Sequence, residues 1–447
     1  MPWTQRISAL GAVVRLEGSL SLSEREAIGD AWADAAAADD GDDAVLEVAA
    51  SDDLAGTLDA LSQRVTLAAI GARRGGPWML HAAGLALPDG RVVALVGPSG
   101  RGKTTAARVL GRAYGYVSDE TVAIEPDGVV RPYRKPLSII ESQGAPKAQR
   151  SPSSLGLLPL PEVELRLAAV VLLDRRDDGP EEPQIEPVDF GDALEELVEQ
   201  SSYLPDLPAP LQTMAALAAA VGGVQRVTYR EAESLVGVLE RVAVPGSTSV
   251  ARPLDENPLA AATASAGSAY FRTPTRDALA LDDPDRLALL HVDEDGDGTV
   301  RMLAGIAPAL WRAAGGASTA ELVAAAVAAH GAPDDADAEA LVIATVDELV
   351  GEGVLELREP RWRIGDEVAW TDDGYRIVVL GLDDPELQPC VLEGSAALIW
   401  RALAAGGTLD ELTGAAADAV GVDPGAVAAD VAAFISQLAT EGLAGSA

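Results

Sequence analysis

Residues 97–104 read G-P-S-G-R-G-K-T, and the residues on either side decide what this stretch forms. The preceding run, Arg91–Val96, is apolar and predicts a buried β-strand, whereas the following residues 105–112 predict a helix. Strand, glycine-rich loop and helix in this order are the context that the phosphate-binding motif G-x-x-x-x-G-K-[ST] requires. The sequence therefore predicts an α/β domain that binds a nucleotide.

In such a loop, backbone N–H groups turn inward around an anionic phosphate, and the helix N-terminus points at it. Lys103 is expected to reach the β- and γ-phosphates, and the hydroxyl of Thr104 a Mg²⁺ ion. A chance match to the motif is rare in a chain with only three lysines. The residues expected to contact the nucleotide here are Gly97, Ser99, Gly100, Arg101, Gly102, Lys103, Thr104 and Thr105.

Composition narrows the class of protein. The chain has 447 residues and a formal net charge of −37, which argues against nucleic acid or an anionic membrane surface as its main partner. A single cysteine, Cys390, excludes an intramolecular disulfide and a thiolate zinc site. The sequence shows neither a signal peptide nor an apolar run long enough to span a bilayer. We therefore expect a soluble, cytoplasmic protein.

The chain divides into an α/β part and a repetitive part. The alternation of strands and helices predicts one domain over residues 1–245, and residues 246–269 are rich in Ser, Pro, Ala and Thr, as in a linker. Beyond the linker, Leu303–Leu355 and Leu392–Leu443 align with an offset close to 89, which pairs Trp311 with Trp400. Each copy predicts a β-hairpin followed by three helices, so we expect two small α+β winged-helix-like domains, at 270–360 and 361–447.

Two further stretches carry a family resemblance. H-A-A-G-L-A-L (81–87), the phosphate loop and Y-V-S-D-E-T (116–121) occur in the order and spacing of the HPr kinase/phosphorylase family, and the resemblance covers roughly residues 12–242. It implies the α/β P-loop kinase fold of HPr kinase and PEP carboxykinase, with ATP and Mg²⁺ as cofactors. By the same resemblance His81 belongs to the site, Asp119 is the general base for the accepting hydroxyl, and Glu120 is associated with Mg²⁺, alongside Thr104 and Asp119.

The chain also departs from that family. Glu120 stands where the family has a second Asp, and the glycine-rich segment that helps HPr kinases hold their hexamer and substrate is not recognisable. HPr binding is therefore not carried over. The closer likeness is to HPr-kinase-like proteins found beside peptide-modification genes.

Two features near the motif have open interpretations. Residues 131–150 contain five basic residues and one acid. This loop could bind a nucleotide or an acidic substrate, and Lys135 is then the basic residue most expected to make the contact. The alternative is that it is a solvated loop without a binding role. The apolar run Leu167–Leu173 ends in Asp174, which is either a secondary metal candidate or the end of a core strand.

The two C-terminal repeats resemble PqqD-like peptide-recognition modules. The second carries C-V-L-E-G-S-A-A-L-I-W (390–400) and D-V-A-A-F-I-S-Q-L-A-T-E-G-L (430–443); the first is a looser match. The resemblance implies that such a module captures the leader segment of a ribosomally made precursor peptide by adding it as a strand to a hairpin edge, beside a helix. Whether both repeats bind a ligand stays open. Their acidic helices argue against DNA binding.

Together these observations predict an ATP-dependent Ser/Thr peptide kinase that receives its substrate through the C-terminal modules. Linking the modules to the kinase raises the local concentration of the acceptor. The alternative is a catalytically weak ATP-binding scaffold that presents the peptide to another modifying enzyme. The sequence leaves open a preference for ATP or GTP and a homo-oligomeric state.

Overall fold

The computed structural model describes residues 3–37, 41–98, 102–139, 148–244, 251–252, 268–281, 285–294, 296–333, 337–382 and 388–446. Contacts within the chain separate two compact units. The first comprises Met1–Leu254 and Thr275–Met302, and the second Asp255–Pro274 and Leu303–Ala447. Among the described residues, no helix is both long and apolar enough to cross a membrane.

A small sheet backed by two helices begins the first unit. Ser21 starts the first helix, because its hydroxyl accepts the Glu24 N–H at 3.3 Å while the Glu24 carboxylate accepts the Ser21 N–H at 2.7 Å. The helix ends at Ala31. The elements are β1 (Trp3–Ala9), β2 (Ala12–Gly18), α1 (Leu22–Ala31), β3 (Ala44–Glu47) and α2 (Leu54–Ala72).

The G-x-x-x-x-G-K-[ST] motif lies in the next part of the first unit, which contains a six-stranded sheet. A 3₁₀ turn (Ala232–Leu235) precedes the short last helix of this part. The elements are β4 (Trp78–Leu80), β5 (Ala82–Ala86), β6 (Arg91–Val96), α3 (Lys103–Leu110), β7 (Gly115–Ser118), β8 (Val122–Ile124), β9 (Val130–Arg131), β10 (Leu137–Ile139), β11 (Ala148–Arg150), β12 (Arg166–Arg175), β13 (Gln184–Val188), α4 (Phe190–Glu199), β14 (Ser201–Ser202), α5 (Pro210–Ala220), β15 (Val224–Tyr229) and α6 (Val238–Val242).

Strand directions in the six-stranded sheet decide where functional loops meet. The order is β13-β15-β12-β6-β5-β7, with β15, β12 and β6 parallel and β5 antiparallel to both β6 and β7. The carboxyl ends of β15, β12, β6 and β7 therefore lie at one edge of the sheet, together with the beginning of β5. Apolar clusters cover both faces of the sheet, so the edge is held by buried strands.

A further sheet follows in the chain. Its strand order is β16-β18-β19-β20, and its side chains Leu279, Leu281, Ala288 and Leu290 belong to a core cluster of the first unit. Contacts thus place Thr275–Met302 with the first unit, although the sequence analysis expected 270–360 as one module. The strands of this region are β16 (Ala251–Arg252), β17 (Ala269–Arg272), β18 (Asp277–Leu281), β19 (Leu287–Val292) and β20 (Gly298–Leu303).

The same order of elements occurs twice in the repetitive part: four strands, a helix, a short strand, two helices and a final strand. Trp311 and Trp400, which the repeat pairs, are 6% and 0% exposed, so both are core residues. The remaining elements are α7 (Ala307–Ala313), β21 (Gly315–Ala317), α8 (Thr319–His330), α9 (Ala338–Gly351), β22 (Leu355–Arg358), β23 (Arg361–Ile364), β24 (Val368–Asp372), β25 (Arg376–Gly381), β26 (Cys390–Glu393), α10 (Ser395–Ala405), β27 (Gly407–Thr408), α11 (Leu409–Val420), α12 (Ala428–Thr440) and β28 (Ala444–Ser446).

Candidate active site

The phosphate motif connects β6 to α3. Gly102 is the N-cap of α3 and has φ +95°, a backbone conformation that L side chains rarely adopt. A Cβ at Gly102 would lie 3.4 Å from the Tyr229 hydroxyl and 3.5 Å from Cδ of Arg175, so the end of β15 and the end of β12 close in on the loop. The backbone conformation therefore requires the glycine, whereas the neighbouring atoms lie at ordinary contact distances.

Lys103 is the first residue of α3 and is 6% exposed. Its ammonium donates to the carbonyl oxygen of Gly97, at the start of the same loop. Burial lowers the pKa of Lys103 below its ordinary value. Thr104 and Thr105, by contrast, are exposed on the first turn of the helix. The loop thus holds a buried cation beside exposed hydroxyls, which is the donor set a phosphate group needs.

His81 precedes β5, whose first residue pairs with Val96 at the end of β6. The backbone N–H of His81 donates to the carbonyl of Gln200 at 2.6 Å, which fixes the strand start. Burial lowers the pKa of His81, and the positive charge of Lys103 acts in the same direction, whereas Glu120 opposes both. His81, Lys103 and Glu120 are therefore close enough to influence one another electrostatically.

Asp119 and Glu120 follow β7, in a turn held by the Ser118 hydroxyl, which accepts the N–H groups of Glu120 and Thr121 at 3.2 Å each. Both acids are half-buried. The hydroxyl of the fully buried Tyr116 donates to Oδ1 of Asp119 at 2.8 Å. Burial, reinforced by the charge of Asp119, raises the pKa of Tyr116 well above its ordinary value, so this tyrosine stays a donor.

Lys135 lies beside Glu120, and its ammonium forms an ion pair with Oε2 of that residue. The neighbouring Arg134 is buried and donates to the carbonyls of Tyr116 and Leu158 at 3.3 and 2.9 Å. Lys135 thus contacts the acidic pair, whereas Arg134 holds β7, the strand that ends just before the pair. Lys147 and Glu141 lie outside the described residues.

Two other acids border the same edge. Asp174 lies at the end of β12 and pairs with Arg176, whose Nη2 is 2.6 Å from Oδ2. Glu196 on α4 lies 3.6 Å from Nη2 of Arg226, and burial raises the pKa of Glu196 against the opposing charges of Arg226 and Lys103. Both carboxylates therefore have a basic partner already.

The structure brings most of the expected site residues together. His81, Lys103, Asp119, Glu120 and Lys135 lie at the edge formed by β5, β6 and β7, with Gly97, Gly102, Thr104 and Thr105 in the loop between β6 and α3 and its first turn. Ser99, Gly100 and Arg101 fall outside the described residues.

Sequence reasoning missed three side chains. Tyr116 stands inside the quoted motif, three residues before Asp119, and only the strand-end turn reveals its bond to that residue. Glu196 comes from a helix far along the chain. Tyr229 is buried, and its hydroxyl has no hydrogen-bond partner among the described residues although it faces Gly102. An unpartnered buried hydroxyl beside a phosphate motif fits a group that accepts hydrogen bonds.

The arrangement can support transfer of an anionic group. It combines a helix N-terminus, a buried cation, a half-buried carboxylate and a histidine held uncharged by its surroundings at neutral pH. In the part of the chain that the structure describes, no three acidic, histidine or cysteine side chains form a ready-made metal cluster. Mg²⁺ commonly takes only one or two protein carboxylates and completes its shell with phosphate and water, so these residues fit Mg²⁺–nucleotide.

Comparison with known proteins bears mainly on the second repeat. Residues 378–444 match the family described as Coenzyme PQQ synthesis protein D (PqqD). This segment begins in β25 and ends at the first residue of β28, so it lies within the second repeat. The second repeat thus contains a PqqD domain.

Comparison with solved structures gives a weaker match. The structure of the Hpr(Ser) kinase/phosphatase from Coxiella burnetii is 14% identical, covers 36% of this chain and 93% of its own, and gives a TM-score of 0.21. Comparison with curated proteins gives no match.

Proposed function

We propose that the chain is an ATP-dependent kinase that phosphorylates a hydroxyl, of Ser or Thr, on a ribosomally synthesised precursor peptide. The observation that carries the proposal is the convergence of Lys103, His81 and Asp119 at one edge of the sheet, beside a phosphate motif in its required context. The PqqD domain supports a peptide as the acceptor. The motifs shared with HPr kinases support a hydroxyl as the accepting group.

Each residue then has a stated task. Lys103 and the N-terminus of α3 hold the phosphates, and Lys135 adds a second positive charge at the same edge. Thr104 and Glu120, with Asp119, hold Mg²⁺. Asp119 accepts the proton of the acceptor hydroxyl on its carboxylate, while Tyr116 keeps that carboxylate oriented. When bound, ATP supplies the γ-phosphoryl group, which passes to the acceptor oxygen as ADP leaves, and Mg²⁺ offsets the phosphate charge.

The peptide is expected to reach the kinase through the second repeat. A PqqD-type module adds an extended segment to the edge of its sheet, where main-chain hydrogen bonds give affinity and side-chain pockets give choice. Because module and kinase share one chain, capture raises the local concentration of the acceptor. Peptide-modifying enzymes that act on the same precursor are further candidate partners.

A second candidate function is a catalytically weak ATP-binding scaffold that presents the peptide to another enzyme. The ion pair between Lys135 and Glu120 favours it, because that pair neutralises the acid that stands where HPr kinases have their second Asp. In this reading, ATP binding orders the site without transfer.

The two functions are separated by following a precursor peptide with the purified chain and Mg²⁺–ATP. A gain of one phosphate in the intact mass of the peptide, lost in Asp119→Asn but retained in Asp174→Asn, supports the kinase. Tight ATP binding that Lys103→Ala abolishes, with a peptide that binds but gains no mass, supports the scaffold. Binding of the peptide must be measured in both cases, since an unbound peptide tests neither function.

A further inference from the structure

The sheets of the two repeats differ in their surroundings. All five residues of β18 in the first repeat are buried, whereas four of the five residues of β24, the corresponding strand of the second repeat, are exposed. Met302 on β20 packs against the core of the first unit. Its counterpart at the offset of 89 is Val391 on β26, which is 51% exposed. The same element is therefore interior in one repeat and surface in the other.

A residue in the sheet of the first repeat also caps the N-terminus of a helix in the nucleotide-binding unit. Helix α5 begins at Pro210 with no side-chain cap from its own N-cap residue, Ala209. Asp277, the first residue of β18, takes that place: its carboxylate accepts the N–H groups of Leu211 and Gln212 at 2.7 and 3.3 Å. Buried N–H groups at a helix start need such a partner, so α5 depends on a residue of the repeat.

A second helix is held in the same way. Arg286, just before β19, forms ion pairs with Asp189 and Asp192 at the N-terminus of α4. Gly191 on that helix permits the approach, because a Cβ there would lie 2.6 Å from Cδ1 of Leu281. Arg276 adds bonds to the carbonyls of Pro205 and Leu207 at 2.6 and 2.7 Å. Three charged residues of the first repeat thus hold backbone or carboxylate groups of the nucleotide-binding unit.

The edges of the two sheets differ as well. Part of the outer edge of β18 is occupied by a segment of the same chain, because β16 pairs with its last two residues, Ala251 opposite Leu281 and Arg252 opposite Ala280. In the second repeat the order is β24-β25-β26, and among the described residues neither outer strand has a further strand partner. Among the described residues, both outer strands of the second repeat's sheet thus lack a strand partner, whereas β18 in the first repeat has one.

The second repeat also has a groove among its three helices. It has a volume of about 210 Å³ and lies between α10, α11 and α12, with α10 beginning two residues after β26 ends. Ala396, Ile399, Val431 and Phe434 make its wall apolar, and Asp430 adds a carboxylate. Residues 361–447 contain four arginines, no lysine and fourteen acids. An extended peptide with apolar and basic side chains is complementary to this surface.

We infer that the two repeats have divided their tasks: the sheet of the first is a permanent part of the nucleotide-binding unit, and the second alone receives a peptide, one per chain. The acceptor is an extended segment that combines apolar and basic side chains. The inference about the peptide rests on the proposed function, whereas the structural task of the first repeat does not.

The structural half is tested by hydrogen exchange in the full-length chain. Asp277→Ala should speed exchange of the amides at 211–214 on the order of tenfold, because α5 loses its cap. Asp372→Ala, which removes an exposed carboxylate paired with Arg401 in the second repeat, is the control and should leave α5 unchanged. Wild-type exchange of α5 in Asp277→Ala would show that the repeat is merely attached to the unit.

The binding half is tested with peptides selected against the full-length chain from a phage-displayed random library. We expect enrichment of basic residues, saturation at one peptide per chain, and slower exchange on β26 and α12 but not on β18–β20. Ala396→Trp, which fills the groove, and Phe434→Ala should each weaken binding on the order of tenfold. Thr345→Ala, at the position of the first repeat that matches Phe434, should bind like the wild-type chain.

Each contrary result has its own meaning. Saturation at two peptides, or slower exchange on β18–β20, overturns the division of tasks while leaving peptide capture intact. Failure to select any peptide overturns capture itself, and with it the binding half of the inference. The result for Asp277→Ala stands in either case, because it involves no ligand.

Discussion

Two strands deliver an aspartate to the same edge of the central sheet, and the two aspartates have different partners. Asp119, after β7, receives a hydrogen bond from the buried hydroxyl of Tyr116 at 2.8 Å. Asp174, at the end of β12, is paired with Arg176, and the Thr228 hydroxyl lies 3.5 Å from it. A neutral donor orients a carboxylate, whereas an arginine also holds its charge in an ion pair. Both aspartates follow apolar strand residues, so the strand does not distinguish them. The side chain that contacts each carboxylate does, and it makes Asp119 the candidate base.

The largest effect should separate these two aspartates. Asp119→Asn removes the group that accepts the proton of the acceptor, so transfer to a bound peptide should fall by roughly 100- to 10,000-fold. Asp174→Asn breaks an exposed ion pair and should change the rate by less than about threefold. Initial rates of phosphopeptide formation at saturating ATP measure both.

Folding must be equal for this comparison to hold. Both variants should unfold at nearly the wild-type temperature, and both should bind Mg²⁺–ATP. Equal losses of activity in the two variants would contradict the distinction between the strand ends and would return Asp174 to the set of metal candidates.

The next largest effect concerns Glu120 and Lys135, which form an ion pair. If Lys135 contacts the nucleotide, Lys135→Met should raise KM for ATP about tenfold, because a charge-assisted contact with phosphate is lost. If Lys135 only neutralises Glu120, the same variant should instead need less Mg²⁺ for half-maximal ATP binding. A titration of Mg²⁺ at fixed ATP, with Glu120→Gln in parallel, distinguishes the two outcomes.

Sequence alone predicted the local part of this site. The loop, His81 and the acids stand in one contiguous region, and in a sheet the ends of neighbouring strands meet at one edge, so order along the chain implies proximity. The capping box at Ser21 and Glu24 is equally a local pattern, a serine followed three residues later by a glutamate.

The rest depends on contacts that no local pattern encodes. Asp277 caps a helix 66 residues earlier in the chain, and Arg286 reaches Asp192 across 94 residues. The repeat pattern predicted two similar modules because both sequences keep the same apolar spacing. That spacing does not say whether a strand such as β18 faces solvent or the core of another part of the chain, and β18 and β24 differ in this respect.

A smaller effect is expected from the donor that orients Asp119. Tyr116→Phe should lower kcat about two- to tenfold, as removal of one hydrogen bond commonly does, with little change in KM. Tyr114→Phe is the matched control, because that hydroxyl also donates to a carboxylate, Glu240, at 2.7 and 2.8 Å. Burial raises the pKa of Tyr114 to about 12. Loss of the Tyr114 hydroxyl should lower the free energy of unfolding by about 1 kcal/mol and leave kcat unchanged. A Tyr116→Phe variant that loses stability but keeps its kcat would show that Tyr116 is only structural.

The smallest effect is a slope of stability against pH. Burial holds the folded-state pKa of His81 below its ordinary value of 6.5, so the unfolded chain takes up a proton first as the pH falls. The stability contributed by neutral His81 is complete above about pH 6.5 and is lost as the pH falls through the lower folded-state pKa. His81→Gln should therefore flatten the fall in unfolding temperature between pH 7 and 5, which thermal unfolding of the variant and the wild-type chain across that range measures. An unchanged slope in His81→Gln would mean that the protonated side chain is tolerated at the sheet edge, and His81 would then be a poor candidate for an uncharged member of the site.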